Sequence, residues 1–112
     1  MEDDVARFKE YGTIYENVKS EQVLKQLLKL APTEVLEAYA IVAKNVLYEN
    51  ISLTPAEFDL FQDYKEDLKE LGLQQRSAKR RREILAEGNL FQALSKVMSK
   101  LSTPRSAYQM RN

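Results

Sequence analysis

The chain has 112 residues, enough for about one domain with a modest core, and its 17 basic and 17 acidic side chains sum to zero formal charge. The absence of cysteine and histidine excludes disulfides and thiolate chemistry, and it removes both the usual zinc ligands and the commonest general base. Only three glycines and three prolines leave little room for a turn-rich β architecture. We therefore predict an all-α protein that is not an enzyme, with no catalytic residues, no cofactor and no metal.

Apolar residues recur at helical spacing along most of the chain, which predicts a single compact bundle of about five short helices. The helical domain is expected over residues 20–101. Before it, residues 1–19 are expected to be weakly ordered, with a short helix over residues 3–11 that Gly12 would end. After it, the polar residues 102–112 have the composition of a flexible tail.

Three further helices are predicted in the first two thirds of the chain. Ser20 precedes the first, which Pro32 stops, and Thr33 is expected to cap the most apolar helix, which should be central. In the first of these helices, one face carries the apolar residues Val23, Leu24, Leu27, Leu28 and Ala31. The order Thr54-Pro55-Ala56-Glu57 is typical of a capping box and begins a helix over residues 54–71 with a strongly acidic solvent face.

The last two predicted helices are basic and apolar, respectively. Ser77 caps the basic helix and Gly88 ends it, and Asn89 is expected to cap the last helix with its side chain. The last helix carries an apolar stripe that should pack on the central helix, formed by Leu90, Phe91, Leu94, Val97, Met98 and Leu101.

The neutral total hides two parts of opposite sign. Residues 1–75 carry 15 acidic and 8 basic side chains, a net charge of −7, whereas residues 76–112 carry 9 basic and 2 acidic, a net charge of +7. Five of the seven residues in the basic segment, residues 76–82, are cations. Such asymmetry indicates a polyanion-binding end joined to an acidic body.

We predict mainly sequence-independent contacts with the phosphates of DNA or RNA, because guanidinium forks match phosphate oxygens. Arg81 falls beside the inward Ile84 and Leu85, so it must reach out of the core edge or pair with a carboxylate. No helix-turn-helix, RNP or zinc-finger spacing is present, so reading of bases is not expected. The candidate nucleic-acid-binding residues are Arg76, Lys79, Arg80 and Arg82.

Other interpretations of the basic segment remain open. The basic helix could pair with the acidic helix 54–71 of the same chain, or of a partner in a protein-interaction or self-assembly module such as a homo-oligomer. Residues 79–82 also fit a short nuclear-import signal. Membrane anchoring by the last helix is less favoured, because its polar side has only Lys96 and Lys100 and the chain has no tryptophan.

A series of motifs extends over about 60% of the chain, from residue 35 to residue 101: Asn45-Val46-Leu47, Asn50, Ile51-Ser52-Leu53-Thr54-Pro55, Leu60, Tyr64-Lys65, Leu68, Ser77, Lys79-Arg80-Arg81, Ile84-Leu85, Gly88 and Leu90-Phe91-Gln92-Ala93-Leu94. This arrangement resembles short open reading frames of virus-like DNA elements in animal genomes, of the adintovirus and Polinton kind. The resemblance implies a small virion-associated or element-encoded protein that works beside DNA, and it assigns no activity to individual positions. The absence of cysteine fits a reducing nucleus or cytoplasm equally well.

Overall fold

A computed structural model describes residues 2–101, with side chains from residue 7 onward, and this part of the chain is all-helical, as predicted. The predicted tail, residues 102–112, lies outside the described residues. The helices within the described range are α1 (Glu2–Glu16), α2 (Glu21–Leu30), α3 (Thr33–Leu47), α4 (Pro55–Asp63), α5 (Lys65–Leu71), α6 (Ala78–Leu85) and α7 (Leu90–Ser99).

The described part has seven helices rather than about five, partly because the helix predicted over residues 54–71 is divided at Tyr64. Tyr64 has φ −107° and ψ 18°, which separates α4 from α5. Its hydroxyl accepts a hydrogen bond of 3.2 Å from the backbone N–H of Asn89 and lies against Gly88, whose φ is +50°. Asn89 is the N-cap residue of α7, as the sequence predicted, but its side chain makes no capping bond. Tyr64 instead joins the α4–α5 junction to the turn before α7.

α1 continues through Gly12, where the sequence predicted its end. At this residue α1 crosses α7 so closely that a Cβ on Gly12 would lie 2.5 Å from both the carbonyl oxygen of Ser95 and the amide nitrogen of Ser99. Glycine at position 12 therefore allows the two helices to pack closely and does not end α1. The α1–α7 pair is the most extensive helix contact of the described fold.

The core is centred on α3 and α7. Tyr39 is fully buried, and its ring centroid lies 4.9 Å from that of Phe91, which in turn lies 5.0 Å from that of Tyr15 on α1. The hydroxyl of Tyr39 is hydrogen-bonded to that of Ser95, which donates to the carbonyl of Phe91 at 2.7 Å. The predicted apolar stripe of α7 is buried, and it packs on α1 as well as on α3.

Helix α2 is less buried than its sequence pattern predicted. Leu28 and Ala31 belong to the core, but Val23 on the same predicted face is about half exposed, as is shown by its 49% accessible surface. Ser20 caps α2 by accepting from the amide of Val23 at 3.3 Å. The helix therefore lies at the edge of the bundle, with its C-terminal end against the core.

Two of the predicted caps are confirmed. Thr54 accepts from the amide of Glu57 at 3.2 Å, and the Glu57 carboxylate accepts from the amide of Thr54 at 2.9 Å, which completes the capping box. Ser77 accepts from the amide of Arg80 at 3.1 Å. Thr33, in contrast, is the first residue of α3, and Pro32 precedes it without a side-chain cap.

Glu57 also fastens α4 to the end of α7, because the ammonium of Lys100 lies 2.5 Å from its carboxylate. Burial raises the pKa of this carboxyl, but the hydrogen bonds from Lys100 and from the amide of Thr54 lower it, and the net pKa is below its ordinary value of 4.5. The ionised form is thus the one that the folded state favours.

Because the folded-state pKa of Glu57 is depressed, its contribution to stability is present above about pH 4.5 and is lost as the pH falls through the folded-state pKa. Glu57→Gln should therefore be less stable than the wild type at neutral pH, and the difference should shrink below pH 4.5. Urea unfolding of both proteins across this range measures the effect. A difference that is constant with pH would assign the loss to the capping geometry alone.

Candidate nucleic-acid interface

Arg80 is held by carboxylates of its own fold. Its Nε lies 2.6 Å from one oxygen of Glu70 and its Nη2 donates to the other at 2.8 Å, while its Nη1 reaches Glu83 at 3.4 Å. The hydrogen bond from Arg80 holds the pKa of the Glu70 carboxyl below its ordinary value, and the same bond raises the pKa of Arg80. The guanidinium of Arg80, which was predicted to bind phosphate, already binds the Glu70 carboxylate in the bidentate geometry that a phosphate would require.

Arg82 caps the C-terminal end of α2. Its Nη2 donates to the carbonyl of Ala31, the C-cap residue of α2, at 2.7 Å. The last carbonyls of a helix have no partner within the helix and carry partial negative charge, so a guanidinium at this position stabilises the helix end. The partner lies 51 residues away in the chain, and no local sequence signal pointed to it.

Arg76 and Lys79 are held less tightly by the fold than Arg80 and Arg82. Arg76 is a second, looser partner of Glu70, with its Nε 3.4 Å from the carboxylate and its side chain 42% exposed. Lys79 is exposed and forms no ion pair with any carboxylate in the described part of the chain. The binding role of all four side chains stays a prediction, but this geometry favours Arg76 and Lys79 over Arg80 and Arg82.

Arg81 adopts neither of the two arrangements that the sequence predicted, which were to reach out of the core edge or to pair with a carboxylate. Its side chain is buried, with only 7% of the residue exposed, and it has no carboxylate partner among the described residues. Its Nη2 donates to the carbonyl of Leu73 at 2.8 Å, in the loop between α5 and α6. Its Nε is buried and has no acceptor.

A larger collection of cations lies next to this loop. An open groove of about 950 Å³, which we call the basic groove, runs between the C-terminal end of α3, the side of α5 and the loop that follows Gly72. Its lining contains no aspartate or glutamate among the described residues. Its four cations are Lys44, Lys65, Lys69 and Arg76.

The walls of the basic groove place these cations on both sides. Lys65 and Lys69 are one helical turn apart on α5, and Lys44 faces them from α3, since a Cβ on Gly72 would lie only 3.4 Å from the Cβ of Lys44. Lys69 is also 3.5 Å from the exposed Glu66, whereas Lys65 forms no ion pair within residues 7–101. Tyr48 stands at the edge with 61% of its surface exposed.

The sequence prediction did not identify this groove. Lys65 and Lys69 lie on the helix that was predicted to have a strongly acidic face, and Lys69 contacts Glu66 of that helix. Their i, i+4 spacing signals a shared helix face, but only the tertiary fold brings that face to Lys44 and Arg76. Three of the four groove cations belong to residues 1–75, the part of the chain whose net charge is negative.

Two other kinds of site are absent from the described residues. No cluster of three or more His, Cys, Asp or Glu residues in residues 7–101 could hold a metal ion. No helix of the described range is long and apolar enough to cross a membrane. The apolar stripe of α7 that was considered as an interfacial anchor is buried in the bundle.

Comparison with known proteins adds no relative to this picture. No protein-family model matches the chain, and no curated protein or solved structure matches it either.

Proposed function

We propose that this protein binds nucleic acid, DNA or RNA, through sequence-independent phosphate contacts in the basic groove, and that it is not an enzyme. The observation that carries the proposal is the lining of the groove, which has four cations and no carboxylate among its described residues. Arg76 belongs both to the groove and to the basic segment, and Lys79 extends the cations along α6. The resemblance to element-encoded reading frames adds that the protein would act beside DNA in a virus-like element.

The shape and chemistry of the groove favour a flexible strand. Lysines on two facing walls can follow successive phosphates, and an exposed aromatic side chain such as Tyr48 offers a surface for base stacking. The loop adds the amides of Gln74 and Gln75, which can hydrogen-bond sugar or phosphate oxygens. The exposed acidic side chains of α4, Asp59 and Asp63, would repel a strand from that side of the bundle.

The test removes the two lysines of α5. Lys65→Ala with Lys69→Ala should weaken binding of a short single-stranded oligonucleotide by about tenfold or more, because each lost contact at 4 Å removes about 1 kcal/mol even in the dielectric of water. Fluorescence anisotropy at low salt measures the change. Circular dichroism should show an unchanged fold, since both side chains are exposed.

The matched control is Lys25→Ala with Lys29→Ala on α2. These lysines are also exposed and one helical turn apart, and their removal changes the net charge by the same amount, but they lie outside the groove. We expect a much smaller loss for this control. Equal losses in the two double variants would mean that only the overall charge matters, which would contradict the proposal.

The competing function is a protein-interaction or self-assembly module, in which the acidic helix 54–71 meets the basic helix of a partner. The contacts within the chain give it less support, because Arg80 already binds Glu70 and Lys100 already binds Glu57. Analytical ultracentrifugation at low and high salt, with and without the oligonucleotide, separates the two functions. A dimer that dissociates at high salt and does not bind the oligonucleotide would favour the protein-interaction module.

A further inference from the structure

The buried guanidinium of Arg81, at the α5–α6 corner, has no carboxylate partner in the described part of the chain. Among the described residues no carboxylate oxygen lies within 4.0 Å of it, and its single hydrogen bond goes to the carbonyl of Leu73. Its Nε is buried without an acceptor, as is that of Arg82, so an anion in a pocket would have to bind the terminal nitrogens of the guanidinium. A buried charge is costly unless an opposite charge and hydrogen bonds compensate for it, so this side chain is suited to receive an anion.

A pocket of about 300 Å³ lies beside Arg81, between α3 and the start of the loop after α5; we call it the inner pocket. Its polar lining is Glu37, Lys44, Gln74 and Arg81. Lys44, Gly72 and Gln74 also line the basic groove, so the two cavities adjoin. The inner pocket is therefore an open recess that adjoins the groove.

We propose that the inner pocket binds the terminal phosphate of a nucleic-acid strand that lies in the basic groove, with Arg81 as the principal donor. This inference rests on the proposed function and gives it a preference for phosphorylated ends. A terminal monoester has a second pKa of about 6 and carries close to two negative charges at neutral pH, whereas an internal diester carries one.

Glu37 provides an internal check on this assignment. Its carboxylate is exposed and lines the same pocket, so it would repel an anion bound at Arg81. Glu37→Gln removes that repulsion without changing the size of the side chain. If the pocket holds a phosphate, this variant should increase the preference for phosphorylated ends.

The experiment measures the affinity of the full chain for one oligonucleotide with a 5′-phosphate, a 3′-phosphate or hydroxyl ends. We expect at least one phosphorylated form to bind about tenfold more tightly than the hydroxyl form, since one further charge-assisted contact is worth about that ratio. Glu37→Gln should enlarge the ratio. Arg81→Lys, which keeps the charge but loses the fork, should reduce it.

Inorganic phosphate separates the site from the rest of the groove. At constant ionic strength set with chloride, inorganic phosphate should reduce the affinity of the phosphorylated strand to that of the hydroxyl strand and leave the hydroxyl strand bound. Equal affinities for all three strands, or no gain in Glu37→Gln, would overturn the end-binding inference while leaving the proposed function intact. Failure of every strand to bind would overturn both.

Discussion

Replacing Gly12 with alanine is expected to lower the free energy of unfolding by about 2 kcal/mol or more. In an isolated helix the same change would be favourable by about 1 kcal/mol, because alanine is the better helix former. Here the new Cβ would lie 2.5 Å from backbone atoms of Ser95 and Ser99 and 2.7 Å from the Cβ of Met98. A helix backbone cannot move aside as a flexible side chain can, so α1 must separate from α7.

Gly72→Ala is the matched control for Gly12→Ala. Gly72 has φ −77°, a value that alanine adopts without strain, and the nearest atoms to a new Cβ would be 3.4 Å away, an ordinary contact distance. We expect a stability within about 1 kcal/mol of the wild type, with a gain favoured because alanine restricts the unfolded chain. Urea unfolding compares the two variants. Equal stability of Gly12→Ala and wild type would contradict the close α1–α7 crossing.

The second large effect is expected at Tyr39. Tyr39→Ala should cost about 3–5 kcal/mol, because it removes a fully buried ring between α3 and α7. Tyr39→Phe should cost only about 1 kcal/mol, because the ring remains and only the hydroxyl bond to Ser95 is lost. Thermal or urea unfolding measures both changes.

A double-mutant cycle isolates the hydroxyl pair within this core. Ser95→Ala also removes the bond from the Ser95 hydroxyl to the carbonyl of Phe91, so its cost should exceed that of Tyr39→Phe. The double variant should be more stable than the sum of the two single changes predicts, because the shared bond is lost only once. Strict additivity would mean that the two hydroxyls do not interact.

The parts of the fold that the sequence predicted well are those governed by local chemistry. The capping box at Thr54 and the cap at Ser77 join residues three positions apart, and the buried stripe of α7 follows from helical periodicity. The helix end predicted at Gly12 and the unbroken helix predicted through Tyr64 were wrong, because neither position is governed by local chemistry. Each is determined by a residue of the final helix or of the turn before it, at a sequence separation that local patterns do not encode.

The candidate site likewise has one part that the sequence shows and another part that only the fold shows. The cluster of cations in the basic segment is visible in the sequence, and so is the lysine pair of α5. The sequence does not show which cations form contacts within the fold. Arg80 binds Glu70, which is 10 positions away, and Arg82 binds the carbonyl of Ala31, which is 51 positions away. Only the tertiary structure indicates that α6 stabilises the bundle with its arginines, while lysines from the acidic part of the chain line the groove.

Because Arg80 and Arg82 hold the bundle together, the fourfold alanine variant of Arg76, Lys79, Arg80 and Arg82 does not separate binding from folding. The lysines of α5 make that separation, since they are exposed and lie on one wall of the groove. Variants of Lys65 and Lys69 are therefore the better instruments for the binding hypothesis.

The most direct measurement is the salt dependence of wild-type binding to a short single-stranded oligonucleotide. Phosphate contacts by all four groove cations, with Lys69 and Arg76 exchanging Glu66 and Glu70 for phosphate, set the steepest slope of log affinity against log salt concentration at about −2.8. Titrations at several sodium chloride concentrations give this slope. No binding at low salt, or binding whose affinity does not change with salt, would contradict phosphate recognition by the basic groove.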